Sequence, residues 1–102
     1  MDLWMVQESG DFDATCAAAA GDDPALLAEL RAAFAESVYR QLDLMKRARC
    51  DGNWVVAALR MKAIAASFHA KPLIALAEEA LAGAPGDPVV LRKLGSFADA
   101  LN

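Results

Sequence analysis

Trp54-Val55-Val56-Ala57-Ala58-Leu59-Arg60-Met61-Lys62-Ala63-Ile64-Ala65-Ala66-Ser67-Phe68 runs fifteen residues without a proline or glycine, its large apolar side chains set at helical intervals. At about 100° per residue, Trp54, Ala58, Met61, Ala65 and Phe68 fall within about 40° of one direction. That is the core stripe of an α-helix. Leu59 lies about 140° round the same wheel, with Val56, Ala63 and Ala66 between about 120° and 200°. This second face should look outward, yet it is apolar. An apolar outward face marks a contact surface, whether for a partner protein, for a second copy or for the chain's own N-terminal segment.

The flanks give the neighbouring helices. Asp51-Gly52-Asn53 breaks the pattern ahead of Trp54 and offers capping side chains for a helix starting there. Lys71-Pro72 follows, where a new helix can start and an old one cannot easily continue, so the helix spans 54–68 and the next spans 71–82. Gly83-Ala84-Pro85-Gly86 is a turn cluster. Asp87-Pro88 and Asp23-Pro24 each pair an N-cap carboxylate with a proline whose missing N–H costs nothing in a first turn. The first pair opens a helix over 88–100. After the second, Leu26, Leu30, Phe34, Val38 and Leu42 recur every four residues, with Leu27 and Met45 on neighbouring lines, which predicts a long helix over 24–49. Upstream, residues 11–20 read as a short extra helix closed by Gly21, and 1–10 as an N-terminal arm. The expectation is one all-α domain over 1–102, an antiparallel four-helix bundle with that extra helix at its N-terminus.

Composition excludes several classes of function. A chain of 102 residues is long enough to bury roughly 65% of its unfolded surface in one core. Its hydrophobic residues make up 57% but fall in helical periods, without the ~18-residue apolar run of a membrane span. A net charge of −4 leaves no basic field for nucleic acid. Met1-Asp2-Leu3-Trp4 lacks the basic start and long apolar stretch of a secretory signal, so a cytoplasmic location is expected. Cys16 and Cys50 have no CxxC spacing and read as small buried apolar residues in a reducing compartment. One histidine and two distant cysteines are a poor zinc set, and no metal or cofactor is expected. Glu78 and Glu79 diverge by about 100° and do not form a converging acid–base pair. Asp11, Asp13, Asp22 and Asp23 are assigned to capping and dipole interactions near helix starts, and Trp4 and Trp54 to core or staple positions. No phosphate-cradling glycine loop and no GxSxG elbow occurs, so ordinary enzyme activity has no support.

Ala58-Leu59-Arg60-Met61-Lys62-Ala63, continued by Ala65-Ala66-Ser67-Phe68-His69-Ala70 and Leu73, resembles the core signature of histidine-containing phosphotransfer (HPt) domains. In that family the pattern reads Ala-His-x-Leu-Lys-Gly, a few small residues, then Leu-Gly-Ala-x-x-Leu. The family's phosphoacceptor position falls on Leu59, which has no nucleophile, so the resemblance implies the fold and denies the chemistry. Lys62 matches the family lysine. Ala63 and His69 stand where the family has glycine; Ala63 adds a methyl where a partner approaches, and strengthens the helix by up to roughly 1 kcal/mol over glycine. A second register, counted from Trp54, puts Lys62 at the histidine position. Neither register yields a histidine.

The resemblance spans about residues 13–100. It implies a module that binds a response-regulator receiver domain or a histidine kinase through Val56, Leu59, Arg60, Lys62, Ala63, Ala66 and Lys71, the cations rimming the apolar centre. Two alternatives stand beside it. One is a homodimer closed through the Leu59 stripe; the other is phosphotransfer through His69, the only histidine, expected in the turn before Pro72.

Overall fold

The computed structural model describes the backbone of residues 3–101 and the side chains of residues 11–101. Five α-helices account for all regular structure among them: α1 Leu3–Ala20, α2 Pro24–Arg47, α3 Asp51–Ser67, α4 Lys71–Ala82 and α5 Pro88–Asp99. Two helix starts follow from the Asp-Pro pairs. Asp23 accepts hydrogen bonds from the Ala25 and Leu26 amides at 3.0 and 3.3 Å, and Asp87 accepts one from the Val89 amide at 2.9 Å. Each carboxylate satisfies donors that have no earlier turn to pair with.

Other boundaries differ from the sequence reading, for local reasons. Residues 3–10 continue α1 instead of forming an arm, because no proline interrupts them and Gly10 inside a helix costs only about 1 kcal/mol. The Trp4 side chain, expected in a core or staple role, lies outside the described residues. Gly21, at φ 66°, ends α1 as expected. Asp51, Gly52 and Asn53 form the first turn of α3 instead of preceding it, and its N-cap is Cys50, which makes no side-chain capping bond. First-turn amides have no intrahelical partner in any case, and a carboxylate at Asp51 suits the positive end of the helix. α2 stops at Arg47, two residues before the expected end at 49, and α5 stops at Asp99.

The helices in contact are α2 with α3, α3 with α4, α4 with α5 and α5 with α2, while α1 lies against α2 and α4. α3 and α4 run antiparallel. Trp54, near the start of α3, donates its Nε1–H to the carbonyl oxygen of Ala80, near the end of α4, at 2.8 Å. Alanine fills much of this interface: Ala57, Ala58 and Ala65 of α3 and Ala77 and Ala80 of α4 are buried, and their small side chains let the two helices approach closely.

The α2 stripe is buried from Phe34 to Met45, whereas Leu26 is exposed. A 24-residue helix is about 36 Å long and a 12-residue helix about 18 Å, so α2 outruns α4 and α5 and its first turns lack their cover. Phe12, Phe34 and Phe68 join α1, α2 and the end of α3, with ring centroids 4.7 and 4.8 Å apart for Phe12–Phe34 and Phe34–Phe68.

One buried polar group works against this core. Gln41 on α2 is buried, and its Oε1 has no hydrogen-bond partner among the described residues. Gln41→Met keeps the volume and removes the orphaned acceptor, so urea denaturation should show a gain of about 1 kcal/mol. A loss of stability would mean that the amide is satisfied.

Candidate functional site

α3 presents an open apolar strip. The helix turns Trp54, Ala57, Ala58, Met61 and Ala65 inward toward α2 and α4, and the opposite arc faces solvent. On that arc Val55, Val56 and Leu59 are 38%, 46% and 50% exposed, and Ala63 and Ala66 are exposed as well. The outward face read from the helical wheel is therefore open among the described residues. Val55 was missed, although at about 100° from Trp54 it lies beside Ala66 and Leu59 on the same wheel. The 4-3-4-3 stripe is buried at Trp54, Ala58, Met61 and Ala65, and half-buried at Phe68.

The cations expected round this strip do not stay together. Arg60 is exposed beside Val56, and its side chain makes no ion pair or hydrogen bond among the described residues. Val56 and Arg60 share a concavity of about 470 Å³ with Leu44, Arg47, Ala48 and Asn53, between the end of α2 and the start of α3. Lys62 leans the other way, its Nζ 3.4 Å from Glu78 Oε1 on α4. Lys71 lines a different concavity with Asp11, Thr15 and His69, its Nζ 2.8 Å from Asp11 Oδ2. The Lys71 ammonium, first by hydrogen bond and then by charge, holds the Asp11 carboxyl below the usual carboxylate range. Asp13 pairs with Arg31 at 2.7 Å, so Asp11 and Asp13 serve as tertiary ion-pair partners inside α1 and not as caps.

His69 has a structural occupation. It is the one non-glycine residue at positive φ among the described residues, at 54°. Its amide donates to Ala66 O at 3.2 Å, and the Ala70 amide reaches back to Ala65 O at 2.9 Å. These are the two bonds of a Schellman motif, whose left-handed position normally belongs to glycine. Ala70 and Leu73, which follow, are both buried. The imidazole Nδ1 sits 3.0 Å from Thr15 Oγ1, whose own hydroxyl donates to Asp11 O at 2.9 Å.

The remaining candidates divide by burial. Cys16 is fully buried and burial pushes its thiol pKa up, but Cys50 is exposed in the α2–α3 connection, which corrects the expectation of two buried cysteines. Among the described residues no three His, Cys, Asp or Glu side chains converge as a metal set, and no helix is long and apolar enough to cross a membrane. A larger concavity of about 800 Å³ lies between α4 and α5, walled by Leu76, Val89 and Phe97 with Glu79, Arg92 and Lys93 at its rim.

Because the left-handed conformation costs a non-glycine residue about 1 kcal/mol, His69→Gly should leave stability unchanged or raise it by up to about that amount, even though glycine cannot reach Thr15. His69→Val should lower it by about 1–2 kcal/mol in the same urea titration, because a β-branched residue tolerates positive φ worst. No protein-family model, curated protein or solved structure matches the chain.

Proposed function

We propose that the chain is an HPt-like module of two-component phosphorelay signalling that has kept the docking face and lost the phosphoacceptor. In this reading α2, α3, α4 and α5 are the four helices of an antiparallel bundle and α1 is an addition laid across it. The module works in the cytoplasm and binds a response-regulator receiver domain or a histidine kinase without carrying phosphate, so that it competes with or tunes transfer between them. It is not an enzyme.

The observation that carries the proposal is the exposed strip centred on Leu59, half exposed at the very position the resemblance assigns to the histidine. The second half of the motif adds support. In the family pattern Leu-Gly-Ala-x-x-Leu, glycine suits a left-handed backbone, alanine a tight interior site and leucine a core site; here His69 is left-handed, and Ala70 and Leu73 are buried. The pattern thus makes physical sense in this chain even where a residue departs from it. Leu59 contributes contact area, Ala63 and Ala66 let a partner backbone come close, and Arg60 supplies a charge at the edge. Lys62 and Lys71, each already facing a carboxylate of the chain, belong to the outer rim.

The same exposed strip also favours a homodimer, the main alternative. Phosphotransfer through His69 draws on its exposed imidazole, but the turn at residue 69 lies away from the Leu59 strip, next to α1.

Incubation with a panel of purified receiver domains and histidine kinases, phosphorylated and not, separates the three. Binding without label transfer is the expected result. Leu59→Arg should weaken it by about 2 kcal/mol, roughly thirtyfold in Kd, at unchanged melting temperature. A partner set unaffected by Leu59→Arg removes the strip from the proposal. Light scattering that finds a dimer broken by Leu59→Asp selects the homodimer, and acid-labile, alkali-stable phosphate that disappears in His69→Ala selects the histidine.

A further inference from the structure

We propose that the cleft between the end of α2 and the start of α3 is a socket for a bulky apolar side chain flanked by carboxylates on an acidic protein segment. It deepens, and rests on, the reading of the adjoining Leu59 strip as a docking face.

Shape and charge both point to this occupant. The cleft is lined by the apolar side chains of Leu44, Ala48, Val56 and Ala57 together with Asn53 and the cationic Arg47 and Arg60. Around it cations outnumber carboxylates. From residue 43 to residue 60 the chain holds Lys46, Arg47, Arg49 and Arg60 against Asp43 and Asp51, although the whole chain is at −4. The negative end of α2 and the positive end of α3 meet here and largely offset each other, so the arginines set the sign of the field.

Both arginines are available. Arg60 has no ionic partner among the described residues, and the Arg47–Asp43 pair is a solvent-exposed i,i+4 contact of 2.8 Å, a type worth only about 0.3–0.5 kcal/mol and readily exchanged for a partner carboxylate.

Two other occupants fit worse. A second copy meeting this face about a twofold axis would bring Arg47, Arg49 and Arg60 against their own copies, which costs energy. An anionic membrane would meet a concave cleft, whereas interfacial binding needs a continuous projecting apolar face.

The test uses the full chain, labelled with ¹⁵N, and two synthetic 12-residue peptides with a central phenylalanine, one flanked by aspartates and one by lysines. The aspartate peptide should shift the amide signals of Leu44, Ala48, Val56 and Ala57, and bind at least about tenfold more tightly than the lysine peptide. Arg60→Glu should weaken the aspartate peptide about tenfold, and Lys93→Glu on α5 should leave it unchanged. Equal binding of the two peptides, shifts confined to the α4–α5 concavity, or cleft shifts produced by phosphatidylserine vesicles but not by the aspartate peptide would each overturn the socket.

The titration needs no receiver or kinase, so the two readings fail separately. Cleft binding of the peptide with no receiver or kinase bound keeps the socket and removes the signalling reading. Receiver binding that ignores Arg60→Glu removes the socket and keeps the signalling reading.

Discussion

The buried hydrogen bond from Trp54 to the Ala80 carbonyl fixes how α3 is rotated about its own axis, and the exposed side of the molecule depends on that rotation. A helix is rigid in cross-section, so turning Trp54 inward obliges the strip from Val56 through Leu59 to Ala66 to face out. At the other end of the helix the Schellman bonds from the His69 and Ala70 amides to the Ala66 and Ala65 carbonyls reverse the chain and return α4 along α3. The pair is held at both ends, with alanine between. Substitution on the outer face leaves these restraints in place, and for that reason contact and stability can be probed independently there.

Much of this was legible in the sequence, because it rests on short-range rules. The Asp-Pro pairs announce two helix starts by local chemistry, and the 4-3-4-3 spacing around Met61 names the buried side of α3 before any neighbour is known. What escaped depends on parts of the chain far apart in sequence. Nothing near Lys62 signals that Glu78 will draw it toward α4, and nothing near Lys71 signals Asp11, sixty positions earlier. The seven-residue partner set therefore splits in space, with Val56, Leu59, Ala63 and Ala66 on one strip and the lysines on separate edges. Cys50 misled for a related reason: the burial preference of cysteine is a statement about averages, and this one lies in a connection that no helix covers.

α1 adds a layer that the motif does not require. Its second half crosses the turn between α3 and α4, with Phe12 against Phe34 and Phe68, Thr15 against His69 and Asp11 against Lys71. Most of those polar contacts are exposed, so the rings and the buried Cys16 account for most of the hold. The strained histidine at the corner is braced from the side by this helix.

That arrangement gives the protein an internal clock. The Cys16 thiol is sealed on the inner face of α1 and burial disfavours its ionisation, while Cys50 is exposed on the same chain. A thiol-specific reagent reacts with Cys50 at the rate of an exposed cysteine, and with Cys16 only when α1 lifts. The ratio of the Cys16 rate to the Cys50 rate falls as α1 closes more tightly and rises as it opens, with the molecule's own exposed cysteine as the reference.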